Sequence, residues 1–361
     1  MTQVALVHDY LLVLRGAERS FAAIADCWPE ATIYATLYSE EGTAGRFAGR
    51  RVVCSPLQRL PMRQDGFRAL LPLMPAAVRS LPVRDADVVI SSSSAFAHGV
   101  RPRPGAVHIS YCYTPFRYAW HERETALSEV APVLRPALRM VLARIRSWDL
   151  AASRRVSHYI AISRLTQERI ARLYGRESTV IHPPVEVERF TPGQPGDAFL
   201  FVGELVAHKR VDVLLEAVRR ANRRLRVVGG GPELTRLKAR FPEAEFLGRV
   251  ADSELPGILA EARALLVPNV EEFGIAAIEA QAAGRPVVAV AAGGVLETVV
   301  DGKTGILLER GDVDEFAEVL REVDFDRFDP QALQRHAAGF STTRFKREFS
   351  DEVERLLAGG V

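Results

Sequence analysis

The 361-residue chain is poor in cysteine, poor in lysine, nearly neutral overall and free of long apolar runs. Each shortage removes a class of explanation. The three cysteines, Cys27, Cys54 and Cys112, show neither C-x-x-C pairing nor zinc-ligand spacing. A disulfide scaffold is therefore not expected, and the odd count fits a reduced cytoplasmic protein. No run of ~18 apolar residues and no secretory signal appear, so no membrane-spanning segment is expected. Contact with a membrane surface, at the inner face of the cytoplasmic membrane, remains open. Lys plus Arg number 47 against 45 Asp plus Glu, a formal net charge of +2. That balance supplies no global field for a polyanion, and nucleic acid is not an expected partner. The glycine turn Gly229-Gly230-Gly231 does not continue as G-x-G-x-x-G into a helix, which argues against a dinucleotide dehydrogenase. The basic residues are nearly all arginine, which makes the four lysines, Lys209, Lys238, Lys303 and Lys346, stand out.

What is present is a chain long enough for two domains with full cores, of ordinary globular composition at 48% hydrophobic and 25% charged residues. Its most informative stretch begins with the apolar run Ala264-Leu265-Leu266-Val267, read as a buried parallel strand ended by Pro268-Asn269. Ile275 to Ala283 is rich in alanine and stops at Gly284, the pattern of a helix with a glycine stop. Glu271 then falls in the strand-to-helix loop, where open parallel sheets bind ligands, and Glu279 falls about one turn into the helix. Gly274 permits close backbone approach, and the amides that follow sit at a helix start suited to anionic oxygens. Two carboxylates so placed can accept hydrogen bonds from polyol groups on either side of a phosphate.

The same alternation of strand and helix runs through the chain. Val4 to Val7, Asp87 to Ile90 with four following serines, Val107 to Tyr111, and Phe199 to Val202 read as strands. The first is followed by a loop holding Gly16-Ala17-Glu18 and then a helix. The fourth is followed by Gly203 and, before a helix from Val211 to Arg219, by Lys209-Arg210; a lysine there can reach a diphosphate. Val180 to Phe190, extended by Pro183-Pro184, reads as a linker. Two stretches, 59–84 and Leu134 to Trp148, set arginines among apolar residues at helical spacing. Such a pattern suits either a core-facing helix with a basic outer face or a helix lying on anionic lipid.

Glu271 and Glu279 bracket seven residues, and with Phe273-Gly274, Glu279-Ala280 and Gly284-Arg285-Pro286-Val287-Val288 they resemble the signature of retaining, nucleotide-sugar-dependent glycosyltransferases of the GT-B fold, family four. The resemblance implies an α/β protein of two Rossmann-like doubly wound domains facing a cleft. It implies an N-terminal, acceptor-side domain over 1–182, onto which the C-terminal helix 343–361 packs, and a nucleotide-sugar-binding domain over 190–342. It implies contacts to the nucleotide sugar from Gly16, Gly203, Lys209, Arg210, Arg249, Val250, Phe273, Gly274, Ile275 and Glu279. Among these, Lys209 and Gly16 face the diphosphate, and Glu279 the ribose. Glu271 would bind the donor sugar.

Tyr111 to Trp120 resembles the Cys-His-Thr-Pro-x-Arg-Tyr-x-Trp stretch of bacterial mannosyltransferases that build lipid-linked O-antigen and exopolysaccharide units. Tyr113 stands where those enzymes have a histidine beside the reacting sugar, and Glu204 stands where many relatives have an arginine on the diphosphate. A phenol can hold a hydroxyl but is a poor base at neutral pH. The expected donor is GDP-mannose and the expected acceptor a glycan or lipid-linked hydroxyl, with no resident cofactor and no metal requirement. A uridine-diphosphate-sugar enzyme of the same fold, or a nucleotide-sugar-binding protein without turnover, is the alternative; a 2-epimerase or phosphorylase of that fold is a further rival.

Overall fold

The computed structural model describes residues 2–60, 70–128 and 130–359. The chain divides into two compact units: Met1–His182 together with Phe345–Val361, and Pro183–Arg344. Each is built on one wholly parallel sheet.

The sheet of the first unit contains β1 (Val4–His8), β2 (Thr32–Ala35), β3 (Val52–Cys54), β4 (Val88–Ser93), β5 (Val107–Cys112), β6 (His158–Ala161) and β7 (Ser178–Val180), in the order β3-β2-β1-β4-β5-β6-β7. The sheet of the second contains β8 (Ala198–Val202), β9 (Arg224–Val228), β10 (Glu245–Gly248), β11 (Leu265–Val267), β12 (Val287–Val290) and β13 (Gly305–Leu308), in the order β10-β9-β8-β11-β12-β13. In both, the strand order reverses beside the first strand of the unit: between β1 and β4, and between β8 and β11. These are doubly wound sheets, and the crevice beyond the carboxyl ends of the two central strands is where such sheets take ligands.

The central strands are apolar because both faces are covered. Every residue of β12 is buried, and so is every residue of β4. The latter is instructive, because β4 carries its strand geometry through Ser91, Ser92 and Ser93, residues of low strand preference. Each hydroxyl finds a buried partner: Ser91 meets His108 Nε2 at 2.8 Å, Ser92 meets Tyr113 Oη at 2.9 Å, and Ser93 meets His98 Nδ1 at 3.3 Å. A buried hydroxyl that is hydrogen-bonded avoids the desolvation cost that would otherwise end the strand.

The Thr342–Ala358 helix shows how one sequence stripe serves packing. Phe345, Phe349 and Val353 are its buried residues, and the rings of Phe345 and Phe349 lie 5.6 and 5.5 Å from Tyr111. Lys346 Nζ donates to Asp26 Oδ2 at 2.7 Å, so this helix is fastened to the Gly16–Cys27 helix of the first unit. Burying each phenylalanine is worth about 1.5–3 kcal/mol.

Of the two basic and apolar stretches, the first falls in part (61–69) outside the described residues; its remainder places Met74, Ala77, Val78, Leu81 and Val83 in the core. The second forms the long Arg135–Ser153 helix, which buries Leu142, Ile145 and Trp148. The 3-10 turn before it and its own second turn, however, leave Val133, Leu134 and Met140 exposed at 82%, 55% and 51%. Among the described residues no helix is long and apolar enough to cross a membrane.

Candidate functional site

At the reversal point of the second sheet, the segment leaving β8 makes a short 3-10 turn, Ala207–Lys209, and the segment leaving β11 runs through Pro268 and Asn269 to Glu271. Their side chains meet: Lys209 Nζ lies 2.6 Å from Glu271 Oε1. Asn269 Nδ2 donates to the same carboxylate oxygen at 3.1 Å. With 21% and 27% of their side chains exposed, the lysine and glutamate are open enough to exchange each other for a ligand.

The loop carrying Glu271 is fixed from beneath. Glu271 forms a parallel bridge with Gly293, and Gly294 N donates to the Glu271 carbonyl at 2.8 Å. A side chain at Gly294 would run into the backbone of Phe273 and Glu272, so only glycine permits this approach. Gly274, with φ of +98°, then turns the chain into the Ile275–Ala282 helix. Glu279 is half-buried on that helix, and Ile275 is its first residue. Phe273 is buried, its ring 5.7 Å from Phe340, so its side chain anchors the loop and only its backbone can face a ligand. Gly203 N donates to the Val228 carbonyl at 3.0 Å, and Gly229 N donates to the Gly248 carbonyl at 2.7 Å. Arg249, exposed, and Val250, half-buried, follow β10 directly.

Arg210 is tied to two neighbouring loops. Its guanidinium donates to the Pro268 carbonyl at 3.1 Å and to the Gly311 carbonyl at 3.0 Å. It clamps the loops after β11 and β13, and it does so from a left-handed backbone with φ of 49°. Lys209, one residue earlier, is held instead by the Glu271 carboxylate.

In the first unit, Gly16 opens the Gly16–Cys27 helix beside the end of β1. Buried Glu18 accepts from Arg15 N at 2.9 Å and closes the helix start. Tyr113, just past β5, is 8% exposed. Its hydroxyl donates to the Ala17 carbonyl at 2.8 Å, and burial raises its pKa far above the usual phenol range. The phenol expected beside a sugar is thus directed at the helix that Gly16 begins. At the same reversal point, Asp9 accepts from the backbone amides of Ser94 at 2.7 Å and Phe96 at 2.7 Å, which fixes the loop after β4.

The residues brought together are therefore Lys209 with Glu271, and Tyr113 with the helix start at Gly16. Asn269, Ser92 and His8 carry no assigned site role in the sequence reading. Only the position of Asn269, directly after the proline that ends β11, offered a signal.

Comparison with known proteins agrees with this architecture. Residues 14–189 match the profile described as Glycosyltransferase Family 4, and residues 196–323 that described as Glycosyl transferases group 1. The structure of Anabaena HepE in complex with UDP and glucose superposes with a TM-score of 0.70 at 18% identity, covering 98% of this chain and 100% of that one. Sucrose-phosphate synthase from Thermosynechococcus elongatus superposes with a TM-score of 0.73 at 15% identity, covering 100% of both chains. The fold is that of the GT-B glycosyltransferases.

Among sequence relatives, a D-inositol 3-phosphate glycosyltransferase of Mycolicibacterium smegmatis is 35% identical over 208 residues, 50% of this chain and 46% of the relative. A GDP-mannose-dependent alpha-(1-6)-phosphatidylinositol monomannoside mannosyltransferase of the same organism is 34% identical over 187 residues, 42% of this chain and 49% of the relative. The chain spans about half the length of these relatives.

Proposed function

We propose that the protein is a retaining glycosyltransferase that moves a sugar from a nucleoside-diphosphate sugar to an acceptor hydroxyl. The observation that carries this reading is the Lys209–Glu271 pair, set at the reversal point of a doubly wound sheet three residues before a helix start at Gly274. A departing diphosphate gains negative charge, and a cation with oriented amides stabilises that charge more in the transition state than in the ground state. Lys209 is the cation, and the first amides of the Ile275–Ala282 helix, with the backbone at Gly203 and Gly274, are the donors. The family resemblance, and not a placement of the two units, adds Gly16 of the first unit as a further contact to the diphosphate. Glu271 accepts hydrogen bonds from the donor sugar, and Glu279 accepts them from the ribose. Arg249 and Val250 supply backbone groups to the base.

Within this class, mannose from GDP-mannose is the favoured donor. Its support is the aromatic stretch Tyr111 to Trp120 and the 34% identity to a GDP-mannose-dependent enzyme over part of the chain. A lipid-linked acceptor is supported by the exposed apolar residues Val133, Leu134 and Met140 beside exposed Arg139 and Arg144, a surface suited to anionic lipid. Incubating the purified protein with GDP-mannose, UDP-glucose or UDP-N-acetylglucosamine, and measuring nucleoside diphosphate release with and without lipid extract, tests both statements. Binding of a donor without release would make it a nucleotide-sugar-binding protein, a reading that the buried commitment of Tyr113 keeps in view.

A further inference from the structure

The hydroxyl of Tyr113 ends a buried row of polar groups whose direction can be worked out. The Ala17 carbonyl can only accept, so Tyr113 gives it the phenol's single proton, at 2.8 Å. Ser92 Oγ lies 2.9 Å from the phenol oxygen and 3.1 Å from His8 Nδ1. If Ser92 donated to the histidine, no hydrogen would lie between the serine and phenol oxygens. The arrangement that satisfies every member runs one way: His8 Nδ1–H to Ser92, Ser92 to Tyr113, and Tyr113 to the Ala17 carbonyl. Ser20, the other hydroxyl beside the phenol, donates to the Gly16 carbonyl at 2.8 Å. His8 is held in plane by Phe21, stacked on it with ring centroids 4.8 Å apart, and its Nε2 faces Glu18 Oε1 at 3.9 Å. Glu18 in turn accepts from Arg15 N, immediately before Gly16.

These contacts come from the ends of β1, β4 and β5 and converge on a single helical turn, Gly16 to Ser20. His8, Glu18, Ser20, Ser92 and Tyr113 are all buried. Nothing in the row except the helix start itself can present a group to a ligand. We infer that Tyr113 is a positioning residue: through Ala17 it sets where the first-turn amides of the Gly16–Cys27 helix point, and it does not touch the transferred sugar. The inference rests on the proposed function only where those amides serve the donor diphosphate. Loss of the phenol would let the turn fray, with the donor bound less tightly and the chemistry, once donor is bound, nearly unchanged.

The test compares wild type, Tyr113→Phe, Ser92→Ala and, as a control, Tyr111→Phe, which removes a different buried phenol hydrogen bond, to the Ile181 carbonyl, from the same stretch. Amide hydrogen exchange over residues 15–20 and steady-state kinetics with nucleotide sugar are read for each. Tyr113→Phe and Ser92→Ala are expected to speed exchange at the helix start. They are also expected to raise donor KM about fivefold, the effect of one net hydrogen bond, with kcat within about a factor of two. Tyr111→Phe is expected to do neither. A fall in kcat at unchanged KM would overturn the inference by placing the phenol at the reacting sugar. Unchanged exchange in Tyr113→Phe would overturn it by showing the row to be inert. A wild-type protein that neither binds nor turns over any nucleotide sugar would defeat the proposed function, and the exchange result would still decide the role of Tyr113.

Discussion

Lys209 and Glu271 are 62 residues apart in sequence and 2.6 Å apart in space, joined at the one place in the second sheet where the strand order reverses. Neither residue is locked away, and both sit on loops fixed from below, Glu271 by Gly293 and Gly294, and the loop after β8 by the glycine turn after β9, where Leu205 N donates to the Gly230 carbonyl at 2.9 Å. The lysine is thus oriented by the carboxylate it rests on.

The first prediction concerns which cation acts. Lys209→Ala is expected to lower kcat/KM for the donor by about 100-fold or more, the scale of losing one group that stabilises a developing charge. Arg210→Ala is expected to lower the melting temperature first, because it removes two hydrogen bonds from a charged donor to loop carbonyls. Activity that survives Lys209→Ala but not Arg210→Ala would reverse the two roles.

Glu279→Ala should weaken nucleoside diphosphate binding. Two ribose hydrogen bonds of about 0.5–1.5 kcal/mol each correspond to roughly a five- to 150-fold rise in Kd. Titration calorimetry with the diphosphate alone reads this directly, and an unchanged Kd would remove Glu279 from the ribose.

How much of this was legible in the sequence depended on how far each side chain's partner lay from it in the chain. The helix from Ile275, the glycine stop and the Lys209 and Glu271 positions follow from local spacing. Arg210 and Tyr113 do not, because their partners are carbonyls 101 and 96 residues away. A guanidinium beside a lysine reads as a second phosphate ligand, and its bonds to the Gly311 and Pro268 carbonyls leave no local trace. The serines of β4 were readable as a run but not as strand, since their hydrogen-bond partners come from other elements. The short strands β2, β3 and β7 carry too few residues to show a period.

A buried acid holds the first unit together. Asp149 is fully buried; its Oδ2 accepts from Trp120 Nε1 and from Tyr174 Oη, both at 2.7 Å, and its Oδ1 lies 3.2 Å from His98 Nε2. Asp149→Ala strands these donors and is expected to destabilise by about 3 kcal/mol or more. Asp149→Asn, which keeps an acceptor oxygen, should cost less. Equal melting temperatures for wild type and Asp149→Ala would contradict this.

Acid sensitivity should come partly from His108. Burial, aided by the neighbouring His98 and Arg155, pushes its pKa down to about 3. An unfolded histidine binds its proton near pH 6.5, so the unfolded state holds more protons in between. Stability present above about pH 6.5 is therefore lost as pH falls toward 3, at up to ~1.4 kcal/mol per pH unit for one proton. Denaturation at pH 7 and pH 5 is expected to show a smaller difference for His108→Asn than for wild type. An unchanged difference would acquit this residue.

The central claim is nucleotide-sugar turnover at the Lys209–Glu271 site, and one measurement meets it most directly: release of nucleoside diphosphate from GDP-mannose, UDP-glucose and UDP-N-acetylglucosamine by purified wild type and Lys209→Ala, with thermal stabilisation by each donor read alongside. The expected result is release from GDP-mannose by wild type but not by the variant. GDP-mannose should also give the largest melting shift, a tenfold affinity advantage amounting to about 1.4 kcal/mol. Faster release from a uridine donor would contradict the mannosyl assignment alone. Release that is equal in wild type and Lys209→Ala, or absent with every donor, would contradict the account at its centre.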